Sequence, residues 1–205
     1  MLCAPKKVPN IFPVIALSAL SLCANESRAE ERSPNHERPY ALSIYGGRMT
    51  SNNVDDFVDS LEKIDFERSF LLTIALSRTL ARYRDLASLE VEGQVVRHFN
   101  RQNHWEFNAL IAARWEKFYW DDKLDTSIAI GTGPSYAARR PQVEEQNNDQ
   151  TDHLLAYMLI ELEFVLPKHP NTSFITRIHH RSNAWGLVAD NGGSNALAFG
   201  LKYRF

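Results

Sequence analysis

The sequence predicts an all-β protein, an eight-stranded antiparallel transmembrane β-barrel. Three observations predict it. Apolar and polar residues alternate with a period of two in eight successive runs, the mark of strands with one apolar face. No long stretch carries apolar residues at helical spacing. The final run ends Tyr203-Arg204-Phe205, an aromatic strand terminus placed where a membrane barrel carries its interfacial girdle.

The elements follow in chain order. Residues 1–29 read as a cleaved signal peptide: Lys6 and Lys7 form a basic start, Ile11 to Cys23 an apolar core, and Ser27-Arg28-Ala29 a small-residue cleavage site. That core is shorter than the roughly 20 residues a membrane helix needs. A lipoprotein signal would use Leu20-Ser21-Leu22-Cys23, and Leu22 is too large for the residue before a lipidated cysteine. Cys3 and Cys23 both leave with the leader, so the mature chain has no thiol for disulfide, metal or redox chemistry. Lys6, Lys7, Arg28 and Glu26 leave as well, taking the net charge from −2 to −4. A mildly acidic chain lacks the basic footprint of a nucleic-acid binder. Residues 30–38 are polar and charged, a disordered lead-in, and residues 39–205 form one barrel domain.

The eight runs fall at 39–48, 67–82, 87–99, 104–118, 126–140, 151–167, 172–184 and 195–205. In the second, Phe70, Leu72, Ile74, Leu76 and Leu80 oppose Thr73, Ala75, Ser77, Thr79 and Ala81. In the fourth, Trp105, Phe107, Ala109, Ile111 and Trp115 oppose Glu106, Asn108, Arg114 and Glu116. In the sixth, Leu154, Ala156, Met158, Ile160, Leu162, Phe164 and Leu166 oppose His153, Tyr157, Glu161 and Glu163. In the eighth, Leu197, Phe199, Leu201, Tyr203 and Phe205 oppose Ala196, Ala198, Gly200, Lys202 and Arg204. The polar faces mix small residues with charges of both signs, which suits the packed interior of a narrow barrel. The apolar faces then meet lipid, and this is preferred over a lipocalin-like soluble barrel with its apolar face inside. With both ends in the periplasm, the inner turns are Tyr83–Leu86, Tyr119–Asp125 and Lys168–Asn171. The outward loops are Met49–Phe66, Pro141–Gln150 and Trp185–Ser194, with Asn100–Asn103 tight. Short inner turns and longer outer loops mark outer-membrane barrels, and the ending on Phe205, with Tyr203 two residues earlier, resembles the terminal signature that the outer-membrane assembly machinery reads.

Chemistry concentrates at the outer end of the seventh run, His179-His180-Arg181-Ser182-Asn183-Ala184. Alternation puts His180 and Ser182 on the lipid side with Phe174, Thr176 and Ile178, and Arg177, His179 and Arg181 in the lumen. Two residues along a strand span about 6.6 Å, so the His180 imidazole can reach the Ser182 hydroxyl as a general base must. Histidine and serine are also ordinary residues at an interfacial rim. His179 and His180 point to opposite faces and cannot share one metal ion; no metal or other cofactor is expected. Gly131-Thr132-Gly133-Pro134 is followed by neither helix nor lysine, so it reads as a strand bend, not a phosphate loop. Asp121-Asp122-Lys123-Leu124-Asp125 lacks the spacing of a calcium loop and reads as a solvated turn.

His180-Arg181-Ser182-Asn183-Ala184, in this strand and on this face, resembles the outer-membrane lipid A 3-O-deacylases, the PagL-like barrels. The resemblance implies a serine esterase that removes an ester-linked hydroxyacyl chain from lipid A in the outer leaflet of a bacterial outer membrane. It implies Ser182 as nucleophile, His180 as general base and Asn183 as support for the oxyanion. Where that family carries a glutamate in the last loop, this chain has Asn191-Gly192-Gly193-Ser194-Asn195. Ser194 stands nearest the expected position, as a group that holds the neutral imidazole without stabilising an imidazolium, and Asp190, four residues earlier in the same loop, is the candidate to substitute for the acid. Lipid A is the implied partner, and a homodimer is compatible with the reading. The alternative is a non-catalytic barrel with a structural or surface-interaction role, suited to the polar loops Ser51–Asp65 and Gln142–Asp152. A pore is disfavoured, because eight strands leave a lumen plugged by side chains.

Overall fold

A computed structural model describes residues 38–51, 64–141, 151–184 and 193–205. The chain divides into two units, Met1–Glu31, outside the described residues, and Arg32–Phe205, which contains the barrel. The leader and the lead-in through residue 37 thus lie outside the described residues, as does Asp190.

Eight strands form: β1 Tyr40–Thr50, β2 Phe66–Tyr83, β3 Ala87–Asn100, β4 Trp105–Trp115, β5 Thr126–Ala137, β6 Leu154–Leu166, β7 His169–Ser182 and β8 Gly193–Arg204. Each pairs antiparallel with its sequence neighbours, and β8 pairs with β1 to close the barrel. Closure is finished by the chain end, where the Phe205 N–H donates to the Tyr40 carbonyl at 2.9 Å and the Tyr40 N–H donates to the Phe205 carbonyl at 3.2 Å. A closed barrel leaves no unpaired strand edge.

The alternation read from the sequence decides which way each strand faces. In β4 every second residue from Trp105 to Trp115 is exposed and every residue between is buried. The exposed set includes Ile44, Leu72, Ile74, Ile111, Ile130, Phe199 and Leu201, and the buried set includes Glu92, Glu106, Glu161, Arg177 and Lys202. Water would not stabilise an apolar shell running round all the strands; hydrocarbon does. No helix among the described residues is long and apolar enough to cross a membrane.

Burying the charges inside is tolerable because they are paired. Glu90, Glu92, Glu161 and Glu163 meet Arg114, Arg177, Lys202 and Arg204. Arg114 reaches Glu90 at 2.9 Å, Glu161 at 2.6 Å and Glu163 at 3.0 Å. Arg177 binds Glu92 at 2.7 Å, pairs with Glu161 and lies over the Tyr45 ring at 4.6 Å. Equal numbers of each sign in mutual contact offset the desolvation that an isolated buried ion would suffer.

Several local expectations shift: Tyr83, expected in the first inner turn, ends β2, and Gly193 and Ser194, expected in the last outward loop, already belong to β8. The last inner turn is Pro167-Lys168, not Lys168–Asn171: β7 begins at His169 and Pro170 lies within it, beside a register break between Val165 and Leu166. A break is where a residue without an N–H can be accommodated in a ladder. Ala81 is exposed, not luminal, because an irregularity between Thr79 and Ala81 flips the faces beyond Leu80. The inner turn between β4 and β5 is longer than Tyr119–Asp125 and is held by the Asp121 carboxylate, which accepts from the Phe118 N–H at 2.7 Å. The outer turn between β3 and β4 starts one residue later than Asn100, which ends β3 with φ 70°. Gly131-Thr132-Gly133-Pro134 lies inside β5, and a Cβ on Gly133 would stand 2.0 Å from the Ala109 carbonyl oxygen, so only glycine permits this approach of β5 to β4.

Candidate active site

β7 positions its exterior residues through its interior ones. Arg177 is gripped by Glu92 and Glu161, the His179 Nε2 contacts the Glu106 carboxylate at 2.9 Å, and the Arg181 Nε donates to Ser135 Oγ at 2.8 Å. Glu106 also contacts His98 at 2.8 Å and accepts from Asn108 at 2.8 Å. These alternate anchors leave β7 little freedom to twist. His180 and Ser182 consequently sit on the exterior face, each partly exposed near the outer end of the strand.

The flanking strands shape what lies beside them. Opposite Ser182 stand Ala156 on β6 and Gly193 on β8, both small, so neither strand's side chain overhangs the hydroxyl. Opposite His180 stand Met158 and Asn195. The His180 Nδ1 lies 2.6 Å from Asn195 Oδ1. An amide oxygen only accepts, so with this amide orientation the proton is on Nδ1 and the lone pair on Nε2. Ser182 Oγ accepts from the Ala184 N–H at 3.4 Å, and Ala184 has φ 50°, turning the chain sharply just after Asn183.

Ser194 stands on the inner face of β8, in register with Arg181, while Asn195 shares the exterior face with His180. The strand's period of two separates Ser194 from the imidazole, although it is the nearer residue by count from the motif. Asn195 was not singled out in the sequence. The signal that would have found it is register: the β7–β8 ladder pairs residues whose numbers total a constant, which makes Asn195 the partner of His180.

His98, His104 and Glu106 are metal-ligand types whose candidate atoms lie within 4.8 Å of one another. The His98 and His104 rings stack at 4.3 Å and 11°, so their lone pairs lie in nearly parallel planes and do not converge on one point. His179 joins this cluster from the lumen while His180 faces outward, as expected for neighbours on one strand.

The family model described as lipid A 3-O-deacylase (PagL) matches residues 67–204. Among solved structures, the chain is similar to the outer membrane enzyme PagL, with a TM-score of 0.54 and 15% identity over 80% of this chain and 99% of that one. It is also similar to Neisserial surface protein A, with a TM-score of 0.49 and 11% identity over 81% of this chain and 96% of that one. No curated protein sequence matches the chain.

Proposed function

The chain belongs to the lipid A 3-O-deacylase (PagL) family, a barrel of the bacterial outer membrane, and from that premise we propose that it is a serine esterase cleaving an ester-linked hydroxyacyl chain from lipid A. The observation that carries this reading is the contact between His180 Nδ1 and Asn195 Oδ1. It leaves Nε2 as the basic nitrogen beside the strand position that holds Ser182.

In this reading Ser182 Oγ attacks the ester carbonyl and its proton passes to His180 Nε2. The tetrahedral oxyanion is met by backbone N–H groups of the turn after Ser182 and by Asn183. Collapse expels the sugar alkoxide, which takes the proton back from His180 and leaves an acyl-serine. Water then attacks, with His180 again the base, releasing the hydroxy fatty acid and regenerating Ser182. Asn195 stands in for the acid: its oxygen holds the tautomer, as asparagine does in cysteine–histidine–asparagine proteases, without stabilising the imidazolium as a carboxylate would. Neither Asp190 nor Ser194 is required by this arrangement. A site on the barrel's exterior suits a substrate that is itself a component of the leaflet around it. Export through cleavage after Ala29 and assembly through Phe205 belong to the same proposal.

The alternative, a non-catalytic surface barrel, is favoured by one observation: the group facing His180 is an amide, not a carboxylate. Mass spectrometry of lipid A from cells expressing the wild type or Ser182→Ala separates the two. The esterase predicts loss of one hydroxyacyl mass with the wild type alone. Unchanged lipid A in both, with folded barrel in the outer membrane, leaves the surface role.

A further inference from the structure

Four arginines gather at the outer end of the barrel between β3 and the residues after β5. On the exterior of β3, the Arg97 guanidinium lies over Phe99 at 5.5 Å and over Trp105 of β4 at 5.2 Å. Just beyond, Arg101, Arg139 and Arg140, with Asn103 and His104, line a cavity of about 260 Å³ between the β3–β4 turn and the residues after β5. Its walls are tied by backbone hydrogen bonds, from Ala138 N–H to the Trp105 carbonyl at 2.8 Å and from His98 N–H to the His104 carbonyl at 3.0 Å. Arg101 pairs with Glu67 at 2.8 Å. Among the described residues, no carboxylate comes within ion-pair distance of Arg97, Arg139 or Arg140.

A guanidinium near the interface is tolerated at little cost, and at headgroup level it meets the anionic groups of the leaflet. Arginine's planar fork matches phosphate oxygens two at a time. The neighbouring aromatic surface favours a lipid headgroup over a free ion: Phe99 and Trp105, each next in sequence to a residue lining the cavity, are exposed on the exterior face. We propose that this cavity binds a phosphate group of an outer-leaflet phosphoglycolipid, with Arg139 and Arg140 as its charged ligands. Trp105 and Phe99 pack against the sugar and upper acyl carbons. The site lies on the β3–β5 flank, whereas Ser182 and His180 are on β7. It therefore goes beyond the esterase reading and stands whether or not the chain is an esterase.

The test measures binding to the full chain carrying Ser182→Ala, so that turnover cannot interfere. The probes are bisphosphorylated lipid A and its phosphatase-treated counterpart, each in mixed micelles, with inorganic phosphate as competitor. The parent is expected to prefer the phosphorylated lipid at least tenfold. Arg139→Gln with Arg140→Gln should weaken that binding about ten- to thirtyfold, as loss of two surface cations implies, and leave the phosphate-free lipid unaffected. Arg139→Lys with Arg140→Lys should retain part of the preference. Retained barrel circular dichroism in each variant shows that folding is not what changed. Equal binding of the two lipids by the parent, or a preference that survives both glutamines, would overturn the proposal. Inorganic phosphate competing as tightly as the lipid would assign the cavity to the free ion and overturn it equally.

Discussion

Asn195 is the residue on which the proposed chemistry turns. A neutral acceptor holds the Nδ1 proton of His180 but gives the imidazolium, once formed, only a neutral hydrogen bond. A charged acceptor makes a bond about twice as strong, a difference on the order of 1 kcal/mol and hence several-fold in rate. Asn195→Asp should accordingly raise kcat about five- to tenfold in a detergent assay of lipid A ester hydrolysis. Asn195→Leu should lower it by about 10² or more, because the ring loses both tautomer and orientation. Ser194→Ala and Asp190→Asn should each leave kcat within about twofold, the size of effect expected when no transition-state contact is lost. A collapse of activity in Asp190→Asn would move the acid's role into the loop and count against Asn195. How much of this site was visible in the sequence follows from the same geometry. His180 and Ser182 could be placed because one strand's period of two fixes their common face. Asn195 could not, because its relation to His180 depends on the register of two strands joined through residues 183–192, and counting along a chain does not give the face on which the count ends.

At the scale of the strands, alternation was readable wherever the ladder is regular and misled where it slips. β4 and β8 hold one face from end to end. Ala81 changed face because a residue added to one strand of a pair inverts everything after it, and Pro170 drew the last inner turn too far along the chain. The closing seam between β1 and β8 offers a direct test. A Cβ at Gly200 would lie 2.2 Å from the Ile44 carbonyl oxygen and 2.4 Å from the Tyr45 Cβ, so the seam must open to admit it. Gly200→Ala should destabilise the barrel by about 1–3 kcal/mol, the usual cost of overpacking, read as a lower urea midpoint for unfolding. The β3–β4 turn carries a pH signature. Burial, then the neighbouring His98, push the His104 imidazole down to about 3 from the ordinary 6.5. The unfolded chain therefore takes up a proton that the barrel refuses. Stability contributed by the neutral ring is present above pH 6.5 and is lost progressively as pH falls toward 3. His104→Gln should flatten the fall in the urea midpoint over that window; an unchanged slope would show that His104 protonates freely in the folded protein.

The whole molecule inverts the arrangement of a water-soluble protein, with ions inside and hydrocarbon-facing side chains outside, and the two halves of that inversion respond to mutation differently. In the lumen, Arg177 is fully buried and joins Glu92 to Glu161. Arg177→Leu leaves both carboxylates without that partner and should cost about 3–5 kcal/mol. Removing Glu92 as well should recover part of the loss, because one of the stranded charges goes with it. On the exterior, Ile130 is 57% exposed in the middle of β5, and Ile130→Arg places a charge in hydrocarbon at a cost of about 2–4 kcal/mol. Solvent distinguishes the two losses. In detergent micelles the Ile130 position is more easily reached by water than in a bilayer, so its penalty should shrink. The Arg177 penalty originates inside the barrel and should be the same in either medium, and nearly the same in 1 M salt, because buried pairs are poorly screened. Unfolding of both variants in phospholipid vesicles and in detergent would separate them. Equal medium dependence for the two would mean that the lumen is open to solvent, and that the paired charges act as a hydrated lining instead of a packed core.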